Sequence, residues 1–207
     1  MNSRHFTTMF AATAAVFLLA IAPSRAEPKV GAPAPTFSAV NSEGKTVNLS
    51  DYRGKTVVLE WTNDGCPYVR KHYGSGNMQA LQKKWTGQGV VWLSVISSPP
   101  GEQGFADGAR ANSLTSERKA TPTAVLLDPK QQVARAYGAT VTPHMYIIKP
   151  DGALAYAGGI DDKATTRPAD IKDAKNFVDE ALAELKAGKP VSNPATRAYG
   201  CTVKYSS

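Results

Sequence analysis

The chain has 207 residues, 24 Lys and Arg against 17 Asp and Glu, a net charge of +7 and two cysteines. That length holds one domain with a full core. The basic excess is spread along the chain without a run interleaved with aromatics, which argues against nucleic-acid binding. No phosphate-cradling glycine motif, paired-carboxylate spacing or serine elbow is present either.

Residues 1–26 read as a secretory signal. Arg4 and His5 precede an apolar run from Phe10 to Ala22, and Pro23-Ser24-Arg25-Ala26 ends in a small-x-small cleavage pattern. The apolar stretch is short for a membrane span; an uncleaved anchor is the alternative. Cleavage predicts a mature chain beginning near Glu27, periplasmic or secreted and not stably membrane-associated, in a compartment where disulfides persist. The expected organisation is a domain over 27–190 and a C-terminal tail over 191–207 that carries Cys201.

Residues 27–36, with three prolines, form an extended lead-in. Phe37 to Val40 and Thr46 to Leu49 flank the turn Asn41-Ser42-Glu43-Gly44-Lys45, which predicts a hairpin. An apolar strand follows at 56–62. After Cys66 the spacing is helical, breaks near Gly74-Ser75-Gly76 and resumes at Asn77 as cap, with Met78, Leu81 and Trp85 on one face. Val90 to Ile96 is a continuous apolar run of strand length, as a strand buried on both faces requires. A Pro/Gly-rich loop, a helix over 109–119, a strand over 123–127 and a short helix over 131–137 come next. His144 to Ile148 and Ala153 to Ala157 flank Pro150-Asp151-Gly152 as a second hairpin. Arg167-Pro168 is expected to open one long helix carrying Ala174, Phe177, Val178, Ala181, Leu182 and Leu185 on its apolar face, ended by Gly188-Lys189-Pro190. Strands alternating with helices before a terminal hairpin and helix indicate an α/β class with a mixed sheet covered on both faces.

The chemistry gathers at Cys66. Glu60-Trp61-Thr62-Asn63-Asp64-Gly65-Cys66-Pro67 joins a buried strand to a helix, so the thiol stands at a helix N-terminus, where free N–H groups and the dipole favour a thiolate. Pro67 fits the first helical turn. Arg70 and Lys71 are expected to add positive charge nearby. Asn63, Asp64 and Gly65 serve most simply as turn and cap.

The strand, Trp61, the helix opened by Cys66-Pro67, and Val141-Thr142-Pro143 before an antiparallel hairpin resemble the thioredoxin-like fold. Ala136 to Pro143, followed by Ile147-Ile148-Lys149-Pro150-Asp151-Gly152, is similar to the redoxin branch, the alkyl hydroperoxide reductase/thiol-specific antioxidant group with exported thiol–disulfide oxidoreductases. The resemblance covers residues 30 to 187 and implies a thioredoxin-like fold with an N-terminal hairpin extension. It makes Pro143, after Thr142, the cis-proline facing the reactive cysteine, and places His144 within reach of the thiol as a proton carrier. It also offers Glu60 as a proton relay, against the alternative of a strand-end carboxylate reaching solvent.

Two signatures are incomplete. The second cysteine of Cys-x-x-Cys is replaced by Val69, and the peroxidase pattern Pro-x-x-x-Thr-x-x-Cys meets Leu59 and Asn63. The tail Tyr199-Gly200-Cys201-Thr202 resembles a subgroup of exported redoxins with a single motif cysteine and a C-terminal Gly-Cys segment. That implies a flexible tail bringing Cys201 to resolve a sulfenic acid or mixed disulfide on Cys66. The alternative is a permanent Cys66–Cys201 staple. The resemblance therefore implies a thiol oxidoreductase without cofactor, acting on a hydroperoxide or a protein disulfide and recharged by an external thiol. A different class remains open: a non-catalytic binding module for a peptide beside Pro143, or for copper through Cys66, His72, His144 and Cys201.

Overall fold

A computed structural model of the chain describes residues 28–206; the signal segment expected at 1–26 lies outside the described residues. Its elements run β1 (Ser38–Asn41), β2 (Thr46–Asn48), β3 (Val57–Trp61), α1 (Pro67–Gly74), α2 (Asn77–Thr86), β4 (Val91–Ile96) and α3 (Gly108–Glu117). They continue as β5 (Ala124–Leu127), α4 (Gln132–Tyr137), β6 (Val141–Thr142), β7 (His144–Ile148), β8 (Leu154–Gly158), α5 (Phe177–Lys186) and β9 (Cys201–Thr202). Seven strands form one sheet in the order β2-β1-β5-β4-β3-β7-β8, and β6 pairs with β9 apart from it. The β3–β4 and β4–β5 pairs are parallel, the others antiparallel. This mixed sheet with covered faces is the expected α/β thioredoxin-like architecture, with the β1–β2 hairpin added at one edge.

The pleat sorts the two cores. Along β3, Val57, Leu59 and Trp61 point to one face and meet Val133, Ala134 and Tyr137 of α4. Val58 points to the other, where Trp92, Met145, Ile147 and Tyr156 pack beneath α1, α2 and α5. All five β3 residues and all six β4 residues are buried, as central strands of a doubly covered sheet must be. The loop after β3 thus leaves the middle of the sheet at its C-terminal end, where Cys66 begins α1.

Three expectations change. Gly76, at a φ of 77°, is the N-cap of α2, and Asn77 instead turns its side-chain amide back to His72. The single helix expected from Arg167 is two pieces: a 3₁₀ turn over Pro168–Asp173, then α5. The chain between them is spent on the loop after β8, with Asp162 N–H bonded to Lys175 O and Phe177 N–H to Ile160 O. Asn176 then caps α5 by accepting from Asp179 N–H at 2.9 Å. Lastly, the tail is docked rather than flexible. Thr196 N–H bonds Ala157 O on the β8 edge, β9 pairs with β6, and Tyr205 and Ser206 reach Ala139 and Gln131.

Candidate active site

Cys66 is the N-cap of α1, with extended backbone (φ −80°, ψ 121°) and Pro67 as the first helical residue. The preceding loop is held by Asn63, whose Oδ1 accepts from Gly65 N–H at 2.8 Å while its carbonyl accepts from Cys66 N–H at 3.1 Å. Across from it the Thr142–Pro143 peptide bond is cis. Cys66 Sγ lies 3.1 Å from the Thr142 carbonyl and donates to it as a thiol.

The tail closes the site. β9 runs antiparallel to β6 with Cys201 opposite Thr142 and Thr202 opposite Val141, and Val203 N–H adds a bond to Thr140 O at 2.9 Å. This register sets Cys201 opposite the Thr142 whose carbonyl faces Cys66, and both cysteines pack in the same cluster. Both cysteines are free; Cys66 is fully enclosed and Cys201 partly exposed.

The two thiols are driven apart in acidity. Burial is the largest influence on Cys66 and pushes its pKa up. The Cys201 thiol, the Val69 N–H in the first turn of α1, the Thr142 side chain and the Cys201 N–H outweigh it, so Cys66 ends below the ordinary thiol value. The Thr142 carbonyl works against them by accepting the Cys66 proton. Cys201 is pushed up to about 12, by burial first and then by the hydrogen bond and charge of Cys66. Of the pair, Cys66 is therefore the more acidic thiol and Cys201 the one that holds its proton.

Residues 30–157 match the AhpC/TSA family. The chain belongs to the AhpC/TSA family. Over 124 residues it is 28% identical to the thiol-disulfide oxidoreductase ResA of Bacillus subtilis (strain 168), covering 60% of this chain and 64% of that protein. The chain thus spans just under two thirds of the length of that relative. A conserved Geobacillus kaustophilus protein of known structure superposes with a TM-score of 0.73 at 26% identity, covering 86% of this chain and 93% of that one. A Sinorhizobium meliloti 1021 protein gives 0.76 at 22% identity over 88% and 97% of the two chains, a likeness of fold. The AhpC/TSA stretch contains Cys66, Thr142 and Pro143, whereas Cys201 lies beyond it.

Of the residues expected around the thiol, the AhpC/TSA stretch and the docked tail bring together Cys66, Thr142, Pro143 and Cys201 and send the others elsewhere. Arg70 is exposed and donates from Nε to the Asp64 carbonyl at 2.8 Å. His144 stacks on Tyr146, ring centroids 4.5 Å apart, and its Nδ1 accepts from Thr140 N–H. Burial lowers its pKa to about 4, so it is a neutral packing residue. Glu60 neither reaches solvent nor turns to the thiol. It is fully buried on the α1–α2 face and accepts from Tyr73 at 2.7 Å, Trp92 at 2.7 Å, Gln82 at 3.1 Å and Ser94 at 3.1 Å. With the two histidines turned away, the copper arrangement does not assemble. Among the described residues no group of three or more His, Cys, Asp or Glu is arranged to hold a metal.

Sequence reading missed a buried polar network beneath the tail. Tyr199, two residues before Cys201, donates its hydroxyl hydrogen to Asp161 and accepts from His72 Nε2 at 3.2 Å. His72 Nδ1 accepts from Asn77 at 2.9 Å, which assigns the neutral Nε2–H tautomer. Burial holds that imidazole at about 4. Lys71, expected as a cation for the thiol, instead faces Asp161 at 3.5 Å, both side chains buried, and donates to the Lys163 carbonyl at 2.6 Å. Asp161 carried no signal beyond a turn after the hairpin; only the folded tail shows what it holds.

Proposed function

We propose that this chain is an exported thiol–disulfide oxidoreductase whose exchanging pair is Cys66 and Cys201, the tail cysteine standing in for the absent second motif cysteine. The observation that carries it is the register that sets Cys201 opposite Thr142, whose carbonyl lies 3.1 Å from Cys66 Sγ beside cis-Pro143. The likeness to ResA, a thiol-disulfide oxidoreductase by name, supports the same reading, as does the secretory pattern of residues 1–26, followed by a domain over 27–190 and the tail over 191–207.

In the reductive direction, the Cys66 thiolate attacks one sulfur of a substrate disulfide. The S–S bond breaks, the other sulfur leaves as a thiolate and takes a proton, and Cys66 is left in a mixed disulfide. Cys201 gives up its proton and attacks the Cys66 sulfur. The substrate leaves as a dithiol, and the chain keeps a Cys66–Cys201 disulfide that an external thiol reductant reopens. The high pKa of Cys201 in the resting dithiol arises partly from the Cys66 thiolate. Once Cys66 is tied in a mixed disulfide that charge is gone, and Cys201 becomes easier to ionise when it is needed. A hydroperoxide is the weaker substrate on this account. Leu59 and Asn63 replace the motif proline and threonine, and the cation expected from Arg70 is turned to Asp64.

The test is reduction of a protein disulfide with glutathione as reductant, together with mass mapping of the purified protein. Wild type is expected to turn over and to shuttle between a dithiol and a Cys66–Cys201 disulfide. C66S is expected to be inactive and C201S to stop at a mixed disulfide. A Cys66–Cys201 bond that mild reductant leaves intact would identify a structural clasp instead, and turnover of peroxide alone would identify a peroxidase.

A further inference from the structure

We propose that the strand seat beside Pro143 reads glycine immediately before the reacting cysteine, so that the partner strands this chain exchanges with present a Gly-Cys segment as its own tail does. The inference rests on the exchange reading above and adds the substrate class. With β9 in place Cys66 is fully enclosed. Any other partner sulfur must therefore take the position of Cys201 and pair with the β6 edge, whose backbone groups otherwise bond Thr202 and Val203.

In that register the residue before the cysteine lies on top of a carbonyl. A Cβ at Gly200 would stand 1.9 Å from the Thr142 oxygen and 2.6 Å from its carbon. Both are backbone atoms, and they belong to the peptide that joins Thr142 to Pro143, so no side-chain rotation relieves the overlap. The same oxygen is the one 3.1 Å from Cys66 Sγ. A side chain at this position thus lifts the strand off the carbonyl that faces the thiol and carries the partner sulfur away from Cys66. The Gly200 φ of 147° adds a backbone preference in the same direction. Thr202, one residue after the cysteine, is exposed and makes no comparable demand.

The test uses the full chain carrying C201S, whose single cysteine is Cys66, and two peptides, Tyr-Gly-Cys-Thr-Val and Tyr-Ala-Cys-Thr-Val. Each peptide cysteine is blocked as a mixed disulfide with 2-nitro-5-thiobenzoate. Cys66 thiolate attacks the peptide sulfur, the bond to thionitrobenzoate breaks, the coloured thiolate leaves and a Cys66–peptide disulfide forms, with no net oxidation. The glycine peptide is expected to react about tenfold faster or more, the scale of an overpacked contact, after correction for the rates of both peptides with free glutathione. Adding Gly200→Ala to the protein, which unseats its own tail, is expected to accelerate the glycine peptide and preserve the preference. Equal rates for the two peptides would overturn the glycine reading and leave exchange at Cys66 standing. Failure with both peptides while free 5,5′-dithiobis(2-nitrobenzoate) reacts would also overturn it. A Cys66 inert to all three would overturn the exchange reading itself.

Discussion

The acidity of Cys66 is borrowed from its neighbours more than from its own helix. Burial opposes the thiolate, and two of the four groups that outweigh it belong to Cys201, its thiol and its backbone N–H. Replacing Cys201 by alanine keeps the backbone donor and removes the thiol. The Cys66 pKa is then expected to rise, seen as an upward shift of the thiolate absorbance titration, so that less thiolate is present at any pH near neutrality. An unmoved midpoint would assign the acidity to the donors that remain, the Val69 and Cys201 N–H groups and the Thr142 side chain. Glu60 shows the opposite use of a buried acid. Its carboxylate is raised by burial yet ties α1, α2 and β4 to β3 through four donors. Glu60→Ala leaves those donors buried without an acceptor and is expected to cost about 3 kcal/mol or more in urea unfolding. Cys66 chemistry in the molecules that remain folded should be unchanged, because Glu60 contacts neither thiol. Cys66 was legible in the sequence because a helix-start cysteine needs only local pattern. Glu60 was not, since a lone carboxylate at the end of an apolar run reads equally as relay or as solvent-facing until its four partners arrive from other elements.

At the scale of elements, β9 is short, and its placement depends on what holds the chain on either side. Tyr199 anchors it through Asp161 and His72, both buried. Tyr199→Phe removes the hydrogen that Asp161 accepts and leaves His72 Nε2–H unpartnered, at a cost of about 1–3 kcal/mol. Its expected signature is local: faster proteolysis after residue 190 and faster alkylation of Cys66, with the sheet intact. Acid should act on the same anchor. His72 is held at about 4 in the fold and returns to about 6.5 when unfolded. The unfolded chain therefore takes the proton first, and stability falls as pH drops from about 6.5 to about 4, by about 3 kcal/mol in all. Urea unfolding at several pH values is expected to show that slope, flattened but not abolished in His72→Gln, since buried His144 titrates in the same direction. The helices and central strands followed their periodicity, whereas the tail could not be read this way. Residues 191–206 carry no repeat, and their anchors are partners distant in sequence: Gly159 and Tyr156 for Thr196, Asp161 for Tyr199, Gln131 for Ser206.

Over the whole molecule the thiol pair and the fold are linked thermodynamically. The tail sets Cys201 against Cys66 in the dithiol form, so the fold supplies much of the ordering that a disulfide would otherwise require. A Cys66–Cys201 bond closes most of the chain into one loop and is expected to stabilise the fold by about 5 kcal/mol through the unfolded state. Folding then favours the disulfide by the same amount, which makes the folded pair about 100 mV harder to reduce than the same two cysteines in the unfolded chain. The lowered Cys66 pKa works against this by stabilising the reduced form, so the realised shift should be smaller than the loop alone gives. Thermal unfolding of oxidised and reduced protein measures the balance directly: the oxidised form is expected to melt about 10 °C or more above the reduced form, and the C66S/C201S chain with the reduced one. If the two redox forms melted together, stabilisation of the Cys66 thiolate would have cancelled the loop contribution. The tail would then be a ready electron donor whose seating costs the fold nothing to break.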